Sequence, residues 1–241
     1  MKPRLAVAAL IAGLAFAAAS ARAQTLTDKL GDLTVSLPIP AGFAPVEGAA
    51  AVLRGILVRA MPPAYRLIAV EVPQDYLDNL HAHAAAGSLP RYVTILTYRN
   101  YETSGMPPEL FAAAKTAMRD QGDQVMKLAQ AQVGDVVDKV SKDIAKATGD
   151  PTATLKVGAI ATLGVFDEQP DSVALAMIGP VSVSSREVNE TRDQVAVVAI
   201  VLIHGKPINA NFYSNYASKD DLEWAKDQAR DWIRRVKALN P

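Results

Sequence analysis

Residues 195–216 read VAVVAIVLIHGKPINANFYSNY, and this stretch sets the fold class. Val195 to Ile203 is a run of nine apolar residues, and crossing a bilayer as a helix takes about 20. Apolar side chains at odd and even positions alike mark a strand covered on both faces. Gly205-Lys206 then has the form of a two-residue Gly-X hairpin turn, and Ile208 to Tyr216 returns as a second strand. On that strand Ile208, Ala210 and Phe212 share one face, while Asn209, Asn211, Tyr213 and Asn215 share the other.

Downstream, Ser218-Lys219-Asp220-Asp221 is a capping-box variant opening a final helix. Leu222, Ala225, Ala229, Trp232, Ile233, Val236 and Leu239 form its apolar stripe. Upstream, Ser172 to Val183 and Leu155 to Phe166 read as strands, the latter with Val157, Ala159, Ala161, Leu163 and Val165 on one face. Nearer the N-terminus, Leu33 to Leu37 is a short strand stopped by Pro38, Pro40 and Gly42. Ala51 to Ala60 and Tyr65 to Val72 are β-type runs that Met61-Pro62-Pro63 would join as a hairpin. Residues 74–86 suit a short helix broken by Gly87 and Pro90, and Arg91 to Glu102 suits a strand.

Between these lies residues 107–148, where Leu110, Ala114, Ala117, Val125, Leu128, Val133, Val136, Val140, Ile144 and Ala147 recur mostly at three- and four-residue steps. Asp135/Lys139 and Asp138/Lys142 add opposite charges four residues apart. As a single rod the segment would span about 63 Å, against a diameter of roughly 45 Å for a globule of this size. A break into two helices near Gly122 or Gly134 is therefore expected. The sum is α+β: an antiparallel sheet with helices packed on it, in one domain over residues 24–241.

The chain has 241 residues, half of them hydrophobic, with 25 basic residues against 25 acidic ones. That balance excludes a strongly basic nucleic-acid binder and a weakly hydrophobic disordered chain. Lys2 and Arg4, the apolar run Leu5 to Ala19, and Ser20-Ala21-Arg22-Ala23 follow the layout of a secretory signal peptide, with cleavage expected between Ala23 and Gln24. Removing Lys2, Arg4 and Arg22 from the 25 basic residues leaves 22 against 25 acidic, a net charge of −3. The expected product is a periplasmic protein with no membrane anchor after cleavage. Without cysteine it has no disulfide, thiol chemistry or thiolate metal site.

Common catalytic signatures are missing: there is no G-x-S-x-G, S-x-x-K, H-E-x-x-H or P-loop. His204 beside Gly205 reads as a turn residue. His81 and His83 would share a face only in an extended segment, whereas theirs reads as helical. Asp167, Glu168 and Asp171 around Gln169-Pro170 read as a solvated turn with no EF-hand spacing. The strand 208–216 stands out because asparagine is depleted in strands. Asn209, Asn211, Tyr213 and Asn215, with Tyr98, Tyr92 and Asn100 of the earlier segment, could form a polar-aromatic binding face. The plainer reading is the wet side of an antiparallel sheet.

Thr34-Val35-Ser36-Leu37-Pro38-Ile39-Pro40-Ala41-Gly42-Phe43 resembles the opening strand and turn of PsbP/Mog1-like proteins. The closing hairpin, Tyr213, Tyr216 and the Trp-bearing helix ending Ala238-Leu239-Asn240 are similar to the end of that fold. The resemblance implies an α/β/α sandwich that binds other proteins without catalysis, and it brings no active-site residue. The expectation is a non-enzymatic, cofactor-free binding or scaffold protein that contacts another envelope protein. The alternative is a carbohydrate or peptide binder using the Asn/Tyr face, and a hydrolase comes third.

Overall fold

The computed structural model describes residues 24–47, 51–81, 89–186 and 188–241. The β9–β10 hairpin, Asn189–Ile203 and Lys206–Asn215, lies at its heart. Ile203 faces Lys206, so the turn is His204-Gly205, one residue earlier than Gly205-Lys206. Both turn residues have positive φ, +47° and +79°, the conformation whose twist matches that of paired strands. His204 is thus a turn residue.

β10 pairs on its other side with β5, Arg91–Tyr98. β5 pairs with β4, Tyr65–Pro73, and β4 with the three-residue β3, Phe43–Pro45. Beyond β9 comes β8, Ser172–Ser184, which pairs along one edge with both β6, Thr154–Val157, and β7, Ala161–Gln169. Every pairing is antiparallel, in the order β3-β4-β5-β10-β9-β8-β6 with β7 also on β8. A separate ribbon joins β1, Thr25–Leu30, to β2, Leu33–Pro38.

One face of the sheet carries Val93, Ile95, Val197, Ala199, Val201, Ala210 and Phe212, all buried. The ribbon and α6, Lys219–Leu239, pack on it through Leu30, Val35, Leu37, Ala225, Ala229, Trp232, Ile233 and Val236. The expected capping box opens α6: Ser218 Oγ accepts from the Asp220 N–H, and Asp221 Oδ2 accepts from the Ser218 N–H. At its other end Asn240 accepts from and donates to the Ser36 backbone, at 2.9 and 2.8 Å. Of the expected stripe, Leu239 alone is exposed.

The opposite face is covered in two places. Near β4, Leu57 of α1 (Ala51–Ala60) and Leu77 of α2 (Gln74–His81) pack with Val70 and Val72. Towards β8, Phe111 and Met118 of α4 (Pro108–Asp120) pack with Val173, Val198 and Ile200. A short α3, Arg99–Ser104, ends the β5 segment at Tyr98, earlier than the expected Glu102.

Residues 107–148 divide as expected, at Gln121, whose φ and ψ of −129° and 28° end α4 before α5, Gly122–Thr148. α5 lies along the molecule. Ser141 Oγ accepts from the Leu155 N–H at 2.9 Å, Gln130 donates to the Gly158 carbonyl, and Val140 packs on Ile56 of α1. Gly134 stays helical inside α5, exposed, and an added Cβ there would meet nothing within 4 Å. Gly134→Ala is therefore expected to stabilise the fold by about 0.5–1 kcal/mol, the glycine helix penalty, read by urea unfolding.

Two sequence readings are corrected. Residues 51–60 are a helix, not the first strand of a hairpin. Their apolar run fits both periods, and Ile56 is buried against Val140 of α5, a contact remote in sequence. The run 155–166 is two strands, because the chain steps aside at Gly158, where a Cβ would sit 2.6 Å from the Pro180 ring. Leu163 of the expected apolar face is 48% exposed.

Candidate binding surfaces

The register confirms that Asn209, Asn211 and Tyr213 share a face, which is the one opposite α6. Across β5 they lie beside Leu96, Thr94 and Tyr92, and across β9 beside Ile200, Val198 and Ala196. This is not a wet face: Asn209 and Asn211 are 5% and 7% exposed. Their polarity is met largely within the sheet. Asn209 Nδ2 donates to the Tyr98 hydroxyl at 3.2 Å, and Asn211 Nδ2 donates to Thr94 Oγ1 at 3.1 Å.

Tyrosines continue the ladder at both ends. Tyr92 and Tyr213 stack with ring centres 4.3 Å apart, and Tyr65 and Tyr98 lie 4.8 Å apart. Burial pushes up the hydroxyls of Tyr92 and Tyr213. It also takes that of Tyr65 to about 12, helped by Tyr98. These hydroxyls stay protonated as hydrogen-bond partners and do not serve as bases near neutral pH. Asn209 and Asn215 each keep a buried carbonyl oxygen without a partner. Asn100 is the exposed second residue of α3, outside the ladder.

The ladder reads as internal cross-strand packing. The double variant Asn211→Ala, Tyr213→Ala is expected to lose about 2–5 kcal/mol, since it removes a buried hydrogen bond and a stacked ring. Chemical denaturation checks this; unchanged stability would return the face to the status of a free binding surface.

The remaining sequence candidates are placed as follows. Gln24 is exposed at the start of the described chain, and its carbonyl accepts from the Ile39 N–H; Ala23 lies outside the described residues. His81 ends α2, and His83 lies outside the described residues. Glu168 pairs with Arg119 and Lys115, and Asp171 with Lys237. Among the described residues no group of three or more His, Cys, Asp or Glu is placed to hold a metal.

A different concavity was not foreseen. β3 covers only Glu71 to Pro73 of β4, and Val46 adds one more bond by donating to the Val70 carbonyl at 2.8 Å. Beyond this point the edge of β4 opens into a cavity of about 360 Å³ lined by Leu26, Pro45, Val46, Glu47, Arg54, Ile68, Ala69 and Val70. Arg54 Nη2 reaches the Ile68 carbonyl at 3.4 Å. The paired register also slips between Leu67 and Ala69. Such a bulge commonly ends or redirects pairing at a sheet edge. No sequence signal marked the cavity, because its walls come from β1, the β3–α1 connection, α1 and β4.

The fold weakly resembles PsbP and Mog1 structures. The solution structure of cyanobacterial PsbP (CyanoP) from Synechocystis sp. PCC 6803 matches with a TM-score of 0.36 and 14% identity, over 90% of this chain and 93% of that one. The crystal structure of the Saccharomyces cerevisiae Ran-binding protein Mog1p matches with a TM-score of 0.30 and 10% identity, over the same shares of the two chains. No protein-family model and no curated protein matches the chain.

Proposed function

We propose that the chain is an exported, non-enzymatic binding or scaffold protein of the periplasm that contacts another envelope protein. The observation that carries this reading is the interrupted sheet edge. Beyond the Val46–Val70 bond no strand among the described residues pairs with this side of β4, and its backbone lines a cavity where Glu47 and Arg54 sit beside apolar side chains. Unpaired strand edges are sites where other chains add on. The signal-peptide layout of residues 1–23 supports export. The Asn/Tyr ladder, by contrast, spends its polar groups on its own neighbours.

Photo-crosslinking in cells tests this, with the reactive side chain placed in turn at the exposed cavity residues Glu47 and Arg54 and, on a remote surface, at Leu239. Cell fractionation checks export in the same cultures. The expected result is one reproducible envelope-protein adduct from the edge positions in the periplasmic fraction. No adduct from any position, or a cytoplasmic protein, would overturn the reading.

A further inference from the structure

Resting on the export reading, we infer that Gln24 becomes the first residue of the mature protein and closes on itself as pyroglutamate. The small-x-small pattern Ala21-Arg22-Ala23 sets cleavage before a glutamine, whose side-chain amide carbon lies within reach of its own α-amino nitrogen. In the closing step that nitrogen attacks the amide carbon and forms the lactam C–N bond. The side-chain nitrogen leaves as ammonia, carrying off the proton that the attacking nitrogen gives up. Nothing is oxidised or reduced, and no co-reactant is consumed. Because both groups belong to one residue, the reaction is intramolecular and needs no partner to bring them together.

The fold leaves both groups free to react. Gln24 is exposed immediately before β1, and its carbonyl accepts from the Ile39 N–H at 2.9 Å. Thr25 faces Pro38, which has no N–H, so Gln24 and Ile39 fall in the next, hydrogen-bonded position of the ladder. There the Gln24 nitrogen would return the bond to the Ile39 carbonyl. That carbonyl accepts instead from Arg235 Nη1 at 3.2 Å. Among the described residues no acceptor takes the Gln24 N–H, and no hydrogen bond holds its side chain. Ring closure also settles the charge. An open terminus sets an ammonium beside the carbonyl that Arg235 fills, whereas the lactam leaves a neutral N–H. The ring uses only the nitrogen and the side chain, so the carbonyl keeps its bond to Ile39.

The test expresses the full 241-residue chain in a bacterium with a periplasm and takes the undigested protein from that compartment for mass spectrometry. The expected mass is that of residues 24–241 less one ammonia, with terminal fragment ions placing the loss on Gln24. Stepwise degradation from the N-terminus should be blocked, and pyroglutamyl aminopeptidase acting on the unfolded chain should restore it from Thr25 onward. Gln24→Ala should give the full mass and an N-terminus that degrades freely, in a protein of unchanged thermal unfolding. An N-terminal Gln24 that keeps its ammonia would overturn the inference and leave the export reading standing. So would a periplasmic protein cut at another bond. A cytoplasmic protein that still carries residues 1–23 would overturn both.

Discussion

Glu71→Gln is expected to stabilise the protein by about 3 kcal/mol at pH 7 and to flatten its stability profile between pH 4.5 and 8. Glu71 is fully buried on β4 beside Val93 and Pro45, and neither carboxyl oxygen has a hydrogen-bond partner. Burial raises its carboxyl from the ordinary 4.5 to about 8, against the opposing pull of Arg235. Arg235 donates to the Ile39 carbonyl and lies near Asp231, while its Nη2 is buried and unpartnered.

Because the folded-state value is raised, the folded protein holds a proton that the unfolded chain has released between pH 4.5 and 8. Stability from this group is therefore full below 4.5, falls by about 1.4 kcal/mol per pH unit as pH rises through the window, and is level above 8. Glutamine keeps the shape and cannot ionise, so the slope goes. Urea unfolding of both proteins at several pH values reads it directly. Parallel profiles would show that Glu71 is neutralised or solvated by some other route.

Trp232→Ala should cost about 3–5 kcal/mol, the cost of deleting a large buried aromatic side chain. Trp232 is 2% exposed in the cluster where α6 meets the sheet. Its indole N–H has no partner, so its contribution is packing alone. Trp232→Phe should accordingly recover much of the loss, because it keeps one aromatic ring in the cluster and discards an unsatisfied donor. Thermal or urea unfolding of the two variants separates these effects. A phenylalanine variant as unstable as the alanine one would mean that the N–H does matter to the fold.

Legibility followed the range of the forces. The β9 strand could be read because a run apolar on both faces has one natural place, the middle of a covered sheet. The start of α6 could be read because capping is settled within four residues. The break of 107–148 followed from length alone. The Asn/Tyr face was legible as a face, since alternation places Asn209, Asn211 and Tyr213 together. Its burial was not, because that depends on helices far off in sequence. Residues 51–60 were misread for the same reason: their run suits either period until Ile56 meets Val140.

By itself the sequence determined the α+β class, the antiparallel hairpin at the centre, the apolar stripe of the last helix and the lack of cysteine chemistry. All of these depend on periodicity, composition or contacts a few residues apart. Tertiary structure decided the rest. It closed the Asn/Tyr ladder, buried Glu71 near Arg235 without a hydrogen bond, split 155–166 around Pro180 and left a cavity beside β4 and Arg54. Each of those outcomes needs side chains from several distant segments to arrive in one place, and solvation and backbone pairing are then settled by what surrounds them.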